Sequence, residues 1–483
     1  MNTRELLHFY SETHTVKTLV GATSADKGFF QLKGGAGSFY TLLAAVLYGS
    51  SDRSLYFLVP DAESARYALQ DLKHYLSSDD ILLIPSSFKK PFDSSETAPN
   101  QIQERSEVLL HLQRSEKKSL VILTPDAIAE KVIEGEKLKK ASFDLEVGET
   151  LDIGFLLEML QEFGFQREDF VYEPGQFSLR GGIIDVFSFA HENPFRVDLD
   201  GREIESIRSF DPITQLSIDE VQYTSVVPNI QEEEISGEKV SLFNYLDKDG
   251  IFFGPKLSLF FDSLHEGLEA VSDDFKNLYD ESSTLKKKIA YRILIGGGSS
   301  PYKTPDRTFE FQMQAQPSFG KQFDLLIEHM RGLNSDDSRI LILSETNKQI
   351  ERLETIFEDL DARVKFYPLY HGLESGFNDT CNQIAVYTEH QIFGRHYQYS
   401  SKKRFSKNQA LTIKELKHLN PGDFVVHIDH GVGVFDGLQK MEMGGRTQEA
   451  VRLRYKNGDL LYVNIGSLQK VSRFTGKDGH EPR

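Results

Sequence analysis

Residues Gly34, Gly35, Ala36, Gly37, Ser38, Phe39, Tyr40 and Thr41 join a short apolar run, Phe29 to Leu32, to an apolar helical stretch from Ser38 to Tyr48. A glycine-rich turn between a buried strand and a helix is how phosphate-binding α/β folds begin. Against the template G-x-x-x-x-G-K-[ST], Gly34 and Thr41 fit, but Phe39 stands where glycine belongs and Tyr40 where lysine belongs. A working loop needs bare backbone at position 39, so that N–H groups can curl around phosphate oxygens. It also needs an ammonium at position 40, which a tyrosine hydroxyl cannot replace. The loop is therefore read as degenerate: the fold is kept and the phosphate chemistry is gone. The alternative at this point is a glycine-rich strand-to-helix turn that matches the motif by chance.

The flanking sequence carries the same signal. Short apolar runs (Leu55 to Val59, Ile81 to Ile84, Leu120 to Leu123) alternate with helical stretches from Asp61 to Leu76 and from near Pro125. That alternation predicts a parallel sheet covered by helices. From Phe143 to Pro228 the pattern turns to hairpins. Gln176 to Phe189 reads as strand, Gly-Gly turn, strand, and Asp200-Gly201 separates Phe195 to Leu199 from Glu203 to Phe210. Ile251 to Phe261 resumes apolar strand character, and charge-rich helical sequence follows to Tyr291. Residues 326–394 read as helix, strand (Ile340 to Leu343), helix (Asn347 to Leu360) and strand (Gln383 to Tyr387).

After the basic stretch Ser400 to Lys417 come five short strands, Phe424 to Ile428, Val432 to Phe435, Leu438 to Met443, Glu449 to Tyr455 and Leu460 to Asn464. About sixty residues with five strands predict an SH3- or Tudor-like barrel. The fold class expected is thus multidomain α/β. It comprises a degenerate RecA/P-loop-like parallel sheet with an antiparallel β-rich insert, a small α/β domain and a C-terminal barrel. The expected boundaries are 1–140 and 229–322 for the two parts of the parallel-sheet domain and 141–228 for the insert. The small α/β domain takes 323–399, the basic linker 400–417 and the barrel 418–476.

Composition removes classes of function without choosing one. A single cysteine, Cys381, excludes an internal disulfide framework and a cysteine-based zinc site, and fits a reducing cytoplasm. No apolar run reaches the roughly 18 residues of a membrane span, so no membrane partner is expected. The net charge of −18 argues against tight non-specific DNA binding by the chain as a whole. Local patches differ in sign: Lys402, Lys403, Arg404, Lys407, Lys414 and Lys417 cluster in one stretch, and Glu232 to Glu234 mark an acidic one.

Two constellations are read as decoys. Asp219-Glu220-Val221-Gln222 resembles the D-E-x-[HQ] box of nucleotide-driven motors, but Gln215 and Ser217 interrupt the apolar strand such a box needs, so a surface β-element is expected. His427, Asp429 and His430 cannot easily converge on one metal from a strand and its turn. Two other sets stay open between interface and ordinary surface or core. Arg180, Arg196 and Arg208 sit on a half-buried sheet, where guanidinium forks often mark a protein interface. Leu438, Met441 and Met443 lie beside a Gly-Gly turn, where an edge strand invites pairing with another chain.

Three stretches together resemble the bacterial transcription-repair coupling factor (Mfd) family, over essentially the whole chain. Pro174 to Phe187 (Pro-Gly-Gln-Phe-Ser-Leu-Arg-Gly-Gly-Ile-Ile-Asp-Val-Phe), with Phe195 to Leu199 and Glu203 to Asp211, is similar to the domain this family shares with the excision-repair protein UvrB. Thr388 to Gly394 is similar to the end of the family's third domain. Pro421 to Gly433 and Leu461 to Val463 are similar to its RNA-polymerase-interacting domain, shared with CarD-type regulators.

The resemblance implies a UvrB-like module that binds UvrA and cannot hydrolyse ATP, with Arg180 and Arg196 matching arginines that contact UvrA and Arg208 beside them. It implies an aromatic where Asp200 stands, which puts one anchor of that interface in doubt. It also implies a strand, carrying Leu438, Lys440, Met441 and Glu442, that pairs with the polymerase β subunit. ATP and Mg are expected only in two RecA-like translocase domains beyond Arg483, where contact with DNA would mainly lie and after which a domain masking the UvrA site would follow. The chain itself is expected to need no cofactor, to hold no metal and to be a fragment that couples stalled RNA polymerase to UvrA. The competing readings are a UvrB-type ATP-dependent repair helicase and a CarD-like transcription regulator.

Overall fold

Four-residue runs with every side chain buried decide the first layer. Leu55–Leu58, Leu120–Leu123 and Ile251–Gly254 are covered on both faces, which only a central parallel strand under helices allows. A computed structural model describes residues 2–473 apart from 26, 78–80, 116, 137–141, 190, 192, 213, 228–238, 302, 334–337, 363, 396, 398–420, 428–430, 444–445, 456–458 and 465–470. The basic linker at 400–417 therefore lies outside the described residues, as do Asp429 and His430.

One unit comprises residues 1–143, 189–191 and 229–399. Its main sheet has seven strands in the order Arg307–Glu310, Gly28–Lys33, Ile293–Gly297, Ile251–Gly254, Leu55–Leu58, Leu120–Leu123 and Ile81–Ile84. Every neighbouring pair is parallel. Strands from before and after the hairpin region share this sheet. Two details differ from the sequence reading. The apolar run from Ile251 ends as a strand at Gly254, and Pro255 starts a turn that delivers Leu257, Phe260 and Phe261 to the buried face of helix Leu257–Ala270. Ile293–Gly297 and Arg307–Glu310, the two neighbours of Gly28–Lys33, were hidden by a Gly-Gly-Gly run and by isolated charges.

The same unit contains a five-stranded mixed sheet, ordered Met313–Ala315, Phe377–Asp379, Ile384–Thr388, Arg339–Leu343 and Tyr367–Leu369. Helices Phe323–Gly332 and Asn347–Asp359 cover it. Leu341, Leu343, Leu373, Phe377 and Val386 from this sheet and its turns pack into one core with Phe39, Leu42 and Phe309 of the seven-stranded layer.

The second unit includes a six-stranded sheet, ordered Ser217–Val221, Glu203–Phe210, Phe195–Asp200, Ile183–Val186, Gln176–Arg180 and Gln166–Arg167, antiparallel except at its last pair. It also includes a five-stranded antiparallel sheet, ordered Leu460–Asn464, Arg446–Arg454, Gly431–Met443, Phe424–His427 and Val471–Arg473, whose core is Val425, Phe435, Val451, Leu453 and Val463. The expected barrel is not found: among the described residues this sheet has two unpaired ends, Leu460–Asn464 and Val471–Arg473. The two strands expected at Val432 to Phe435 and Leu438 to Met443 are one strand, bent by a register shift between Phe435 and Leu438 where Gly437 takes φ +102.

Candidate functional site

On the six-stranded sheet the register lines up Ser178, Asp185, Arg196, Arg208 and Glu220 across five adjacent strands. Asp185 is fully buried and holds two arginines. Arg196 grips it with a fork, Nε to Oδ1 at 2.7 Å and Nη2 to Oδ2 at 2.9 Å, while Arg180 Nη2 donates to Oδ2. Arg196 lies over the Phe210 ring at 4.4 Å and also donates to the Gln215 carbonyl. Asp185 pushes its guanidinium pKa further up, so it is a fixed cation. Arg180 lies over Phe170 at 4.6 Å and donates to the Asp169 carbonyl. Arg208 pairs with Asp198.

Exposure ranks the three as contact groups: the Arg180 and Arg208 side chains are 33% and 37% exposed, but Arg196 only 16%. Around them Phe170, Tyr172, Leu216 and Ile218 are exposed, which gives positive charge an apolar setting of the kind found at protein interfaces. Asp200 is exposed at its strand's end. Asp219 and Glu220 lie on the exposed edge strand Ser217–Val221, as expected of a surface element.

On the five-stranded sheet, strand Gly431–Met443 pairs with Phe424–His427 only through Val434. Residues 438–443 pair with Arg446–Arg454 on one side, and among the described residues nothing occupies the other. Leu438 is half exposed; the side chains of Lys440, Met441 and Glu442 are outside the described residues. The backbone of this segment is thus an open edge able to take another strand. His427 is buried in its strand.

The glycine loop is where the template puts it, between strand Gly28–Lys33 and helix Phe39–Ser50, with φ +70 at Gly34 and +53 at Gly37. Phe39 is wholly buried, its ring centre 5.0 Å from Phe311, 5.5 Å from Tyr10 and 5.7 Å from Phe377. Tyr40 lies across the loop itself: a Cβ on Gly35 would sit 2.5 Å from its ring, and one on Gly297 would be 3.1 Å from its hydroxyl. The helix's first amides already have acceptors, the Ser38 N–H in the Ser375 carbonyl, the Phe39 N–H in Ala36 and the Tyr40 N–H in Gly37. Thr41 Oγ1 donates to the Ser38 carbonyl and to Asp71 Oδ2. Among the described residues no group of three His, Cys, Asp or Glu is placed to hold a metal, and no helix is long and apolar enough to cross a membrane.

Asp71, beneath the loop, is fully buried, and burial pushes its carboxyl up to about 7 against hydrogen bonds from Ser38, Glu374 and Thr41 that pull it down. An unfolded aspartate titrates near 4, so the folded chain holds the extra proton between those values. Stability from this group is full below about pH 4 and is lost as pH rises to about 7. The neighbouring His74 works in the opposite sense. Burial and the stacked His371 ring push it down to about 4, so it folds neutral and its contribution falls as the solution is acidified. The readout is therefore a difference: Asp71→Asn should gain on wild type in urea midpoint between about pH 5 and about pH 8. A constant gap across that range would show that Asp71 does not titrate there.

The sequence singled out both arginines on Asp185 but not Asp185 itself. A lone carboxylate inside Ile183–Val186, an otherwise apolar buried strand, is the signal that would have found it, since a buried charge requires a partner. Phe170, Tyr172, Leu216 and Ile218 gave no comparable sign. The turn 373–377 that meets the glycine loop was also missed, because it carries no motif.

Two family models match the segments that carry these surfaces. Residues 143–231 match the UvrB interaction domain and residues 419–475 the CarD-like/TRCF RID domain. The chain is similar over nearly its whole length to the N-terminal portion of transcription-repair-coupling factors. It is 22% identical to that of Bacillus subtilis across 98% of this chain and 47% of that protein. The relatives in Staphylococcus epidermidis (strain ATCC 12228) and Staphylococcus aureus (strain NCTC 8325) are each 24% identical, across 86% and 91% of this chain and 42% and 45% of those proteins. The chain spans about half the length of the curated relatives it matches.

Proposed function

We propose that this chain joins two macromolecules. It holds the RNA polymerase β subunit by strand addition along residues 438–443, and captures UvrA on the arginine surface built around Asp185. In this reading it performs no nucleotide chemistry and needs no cofactor. ATP-driven movement on DNA belongs to the part of the longer relatives that this chain does not match. The domains act as the boundaries above divide them, with 141–228 and 418–476 as the two binding modules in a cytoplasmic protein. The observation that carries the reading is the presence in one chain of a UvrB interaction domain and a CarD-like/TRCF RID domain, the second with an open strand edge.

Pull-downs with purified UvrA and polymerase β subunit test it. Met441→Arg should weaken β-subunit binding about 30-fold or more and spare UvrA, while Arg180→Glu should do the reverse. Arg180 is preferred to Arg196 for this purpose because it is less involved in holding the sheet. If both variants bind both partners as wild type does, the surfaces lie elsewhere. Polymerase binding with no UvrA capture by the unaltered chain would favour the CarD-like regulator instead.

A further inference from the structure

Three features of the glycine loop make sense only together with the turn Leu373–Phe377 of the small α/β sheet, which lies in the same unit. Ser38 stands at the N-cap of helix Phe39–Ser50, where a serine hydroxyl ordinarily accepts from the helix's own first turn, yet it makes no such bond. Its Oγ instead accepts from the Ser375 N–H at 3.0 Å, and its own N–H donates to the Ser375 carbonyl at 3.1 Å. Asp71, fully buried behind the loop, spends one oxygen on Thr41 and the other on the Glu374 N–H at 2.8 Å. Gly37, in the left-handed region at φ +53, lies so close that a Cβ there would be 2.6 Å from the Gly376 carbonyl.

The turn is braced from behind as well. The Gly376 N–H donates to Gln391 Oε1, and its carbonyl accepts from the Gln316 N–H. Leu373 and Phe377, at its two ends, are buried in the core that contains Phe39.

We propose that the degenerate phosphate loop is now a socket for the chain's own turn 373–377, which sits in it as an internal ligand and excludes nucleotide. The chemistry fits the change of occupant. The N-terminus of a helix offers N–H groups and partial positive charge to any acceptor; here the Ser375 carbonyl, a neutral peptide group, takes the Ser38 N–H without a lysine, and the next two amides close on the loop's own carbonyls. Tyr40, which stands where the motif has that lysine, covers the loop backbone at Gly35. The socket also fastens the small α/β sheet to the seven-stranded layer, a use for the loop that does not depend on either macromolecular partner.

Amide hydrogen exchange on the whole chain tests this, because the Glu374 and Ser375 amides have their acceptors across the seam. Ser38→Ala should speed exchange at Ser375 about fivefold to tenfold, with Gly37→Ala exposing Glu374 as well, while Leu341 and Val386 keep their protection. Gly21→Ala, in a helix with open space at its Cβ, serves as the control for general stability. Unchanged exchange at both seam amides in both variants would overturn the proposal. A second arm supplies the missing charge: Tyr40→Lys should still show no heat of binding with millimolar MgADP. Binding of MgADP by that variant, with Glu374 and Ser375 still protected, would show that turn and nucleotide do not share the site and would overturn the exclusion. Neither arm involves UvrA or polymerase, so its failure is separable from failure of the adaptor reading.

Discussion

Asp185→Ala is expected to destabilise the six-stranded sheet by on the order of 3–5 kcal/mol, the cost of breaking a buried ion pair from one side. The size follows from what is left behind. Arg196 is largely covered and cannot turn to solvent without abandoning Phe210 and Gln215, so its charge would remain buried and unpaired. Arg180 would lose the same carboxylate but is more exposed and keeps Phe170 and the Asp169 carbonyl. Urea unfolding of the variant should therefore show a lowered midpoint for this unit; under the adaptor reading proposed above, UvrA capture should fall as well, even where the protein is still folded. Asp185→Asn keeps the volume and one acceptor oxygen and should lose less. If Asp185→Ala unfolds within 1 kcal/mol of wild type, roughly the worth of one ordinary hydrogen bond, the carboxylate is not the keystone described here.

Phe39→Ala should have an effect of similar size, about 3–5 kcal/mol for deleting a buried ring. The ring stands among Tyr10, Phe311 and Phe377, residues drawn from the N-terminal helix, the connection between the two sheets and the small sheet itself. The cavity would open where three parts of the unit meet, and none can collapse into it without moving the others. Matching the template at this one position with Phe39→Gly should be no better, because glycine leaves the same cavity and adds backbone freedom to the unfolded chain. Chemical denaturation checks both. A Phe39→Gly chain as stable as wild type would mean that the aromatic was tolerated at this position rather than required.

Much of the fold could be read before any coordinates because the information was local. Leu55–Leu58, Leu120–Leu123 and Ile251–Gly254 are uniformly apolar, and burial on both faces of a central parallel strand demands that. The helix expected from Asp61 to Leu76 is present as Ala62–Lys73, with Asp61 as its cap, accepting from the Ser64 N–H at 2.7 Å. What failed was what depended on distant partners. Ile293–Gly297 looks like a turn until Gly28–Lys33 and Ile251–Gly254 are placed on either side of it. The bend at Gly437 reads in the sequence as a break between strands, since a glycine marks a bulge and a loop alike.

At the candidate site the same division holds. Arginines on an alternating sheet are visible as a pattern, but the carboxylate that binds two of them acts through register, which pairs Arg196 with Asp185 across a strand gap. The turn at 373–377 left no trace in the sequence because its contacts to the loop run mainly through peptide groups.

That last property reaches beyond this molecule. A junction to which the turn contributes only main-chain groups places almost no demand on the letters at positions 374 and 375, and strict demands at Gly37, Ser38 and Asp71 opposite them. Chains that have drifted to under a quarter identity can keep such a joint intact while its own segment becomes unrecognisable, so backbone comparison will find it where alignment does not.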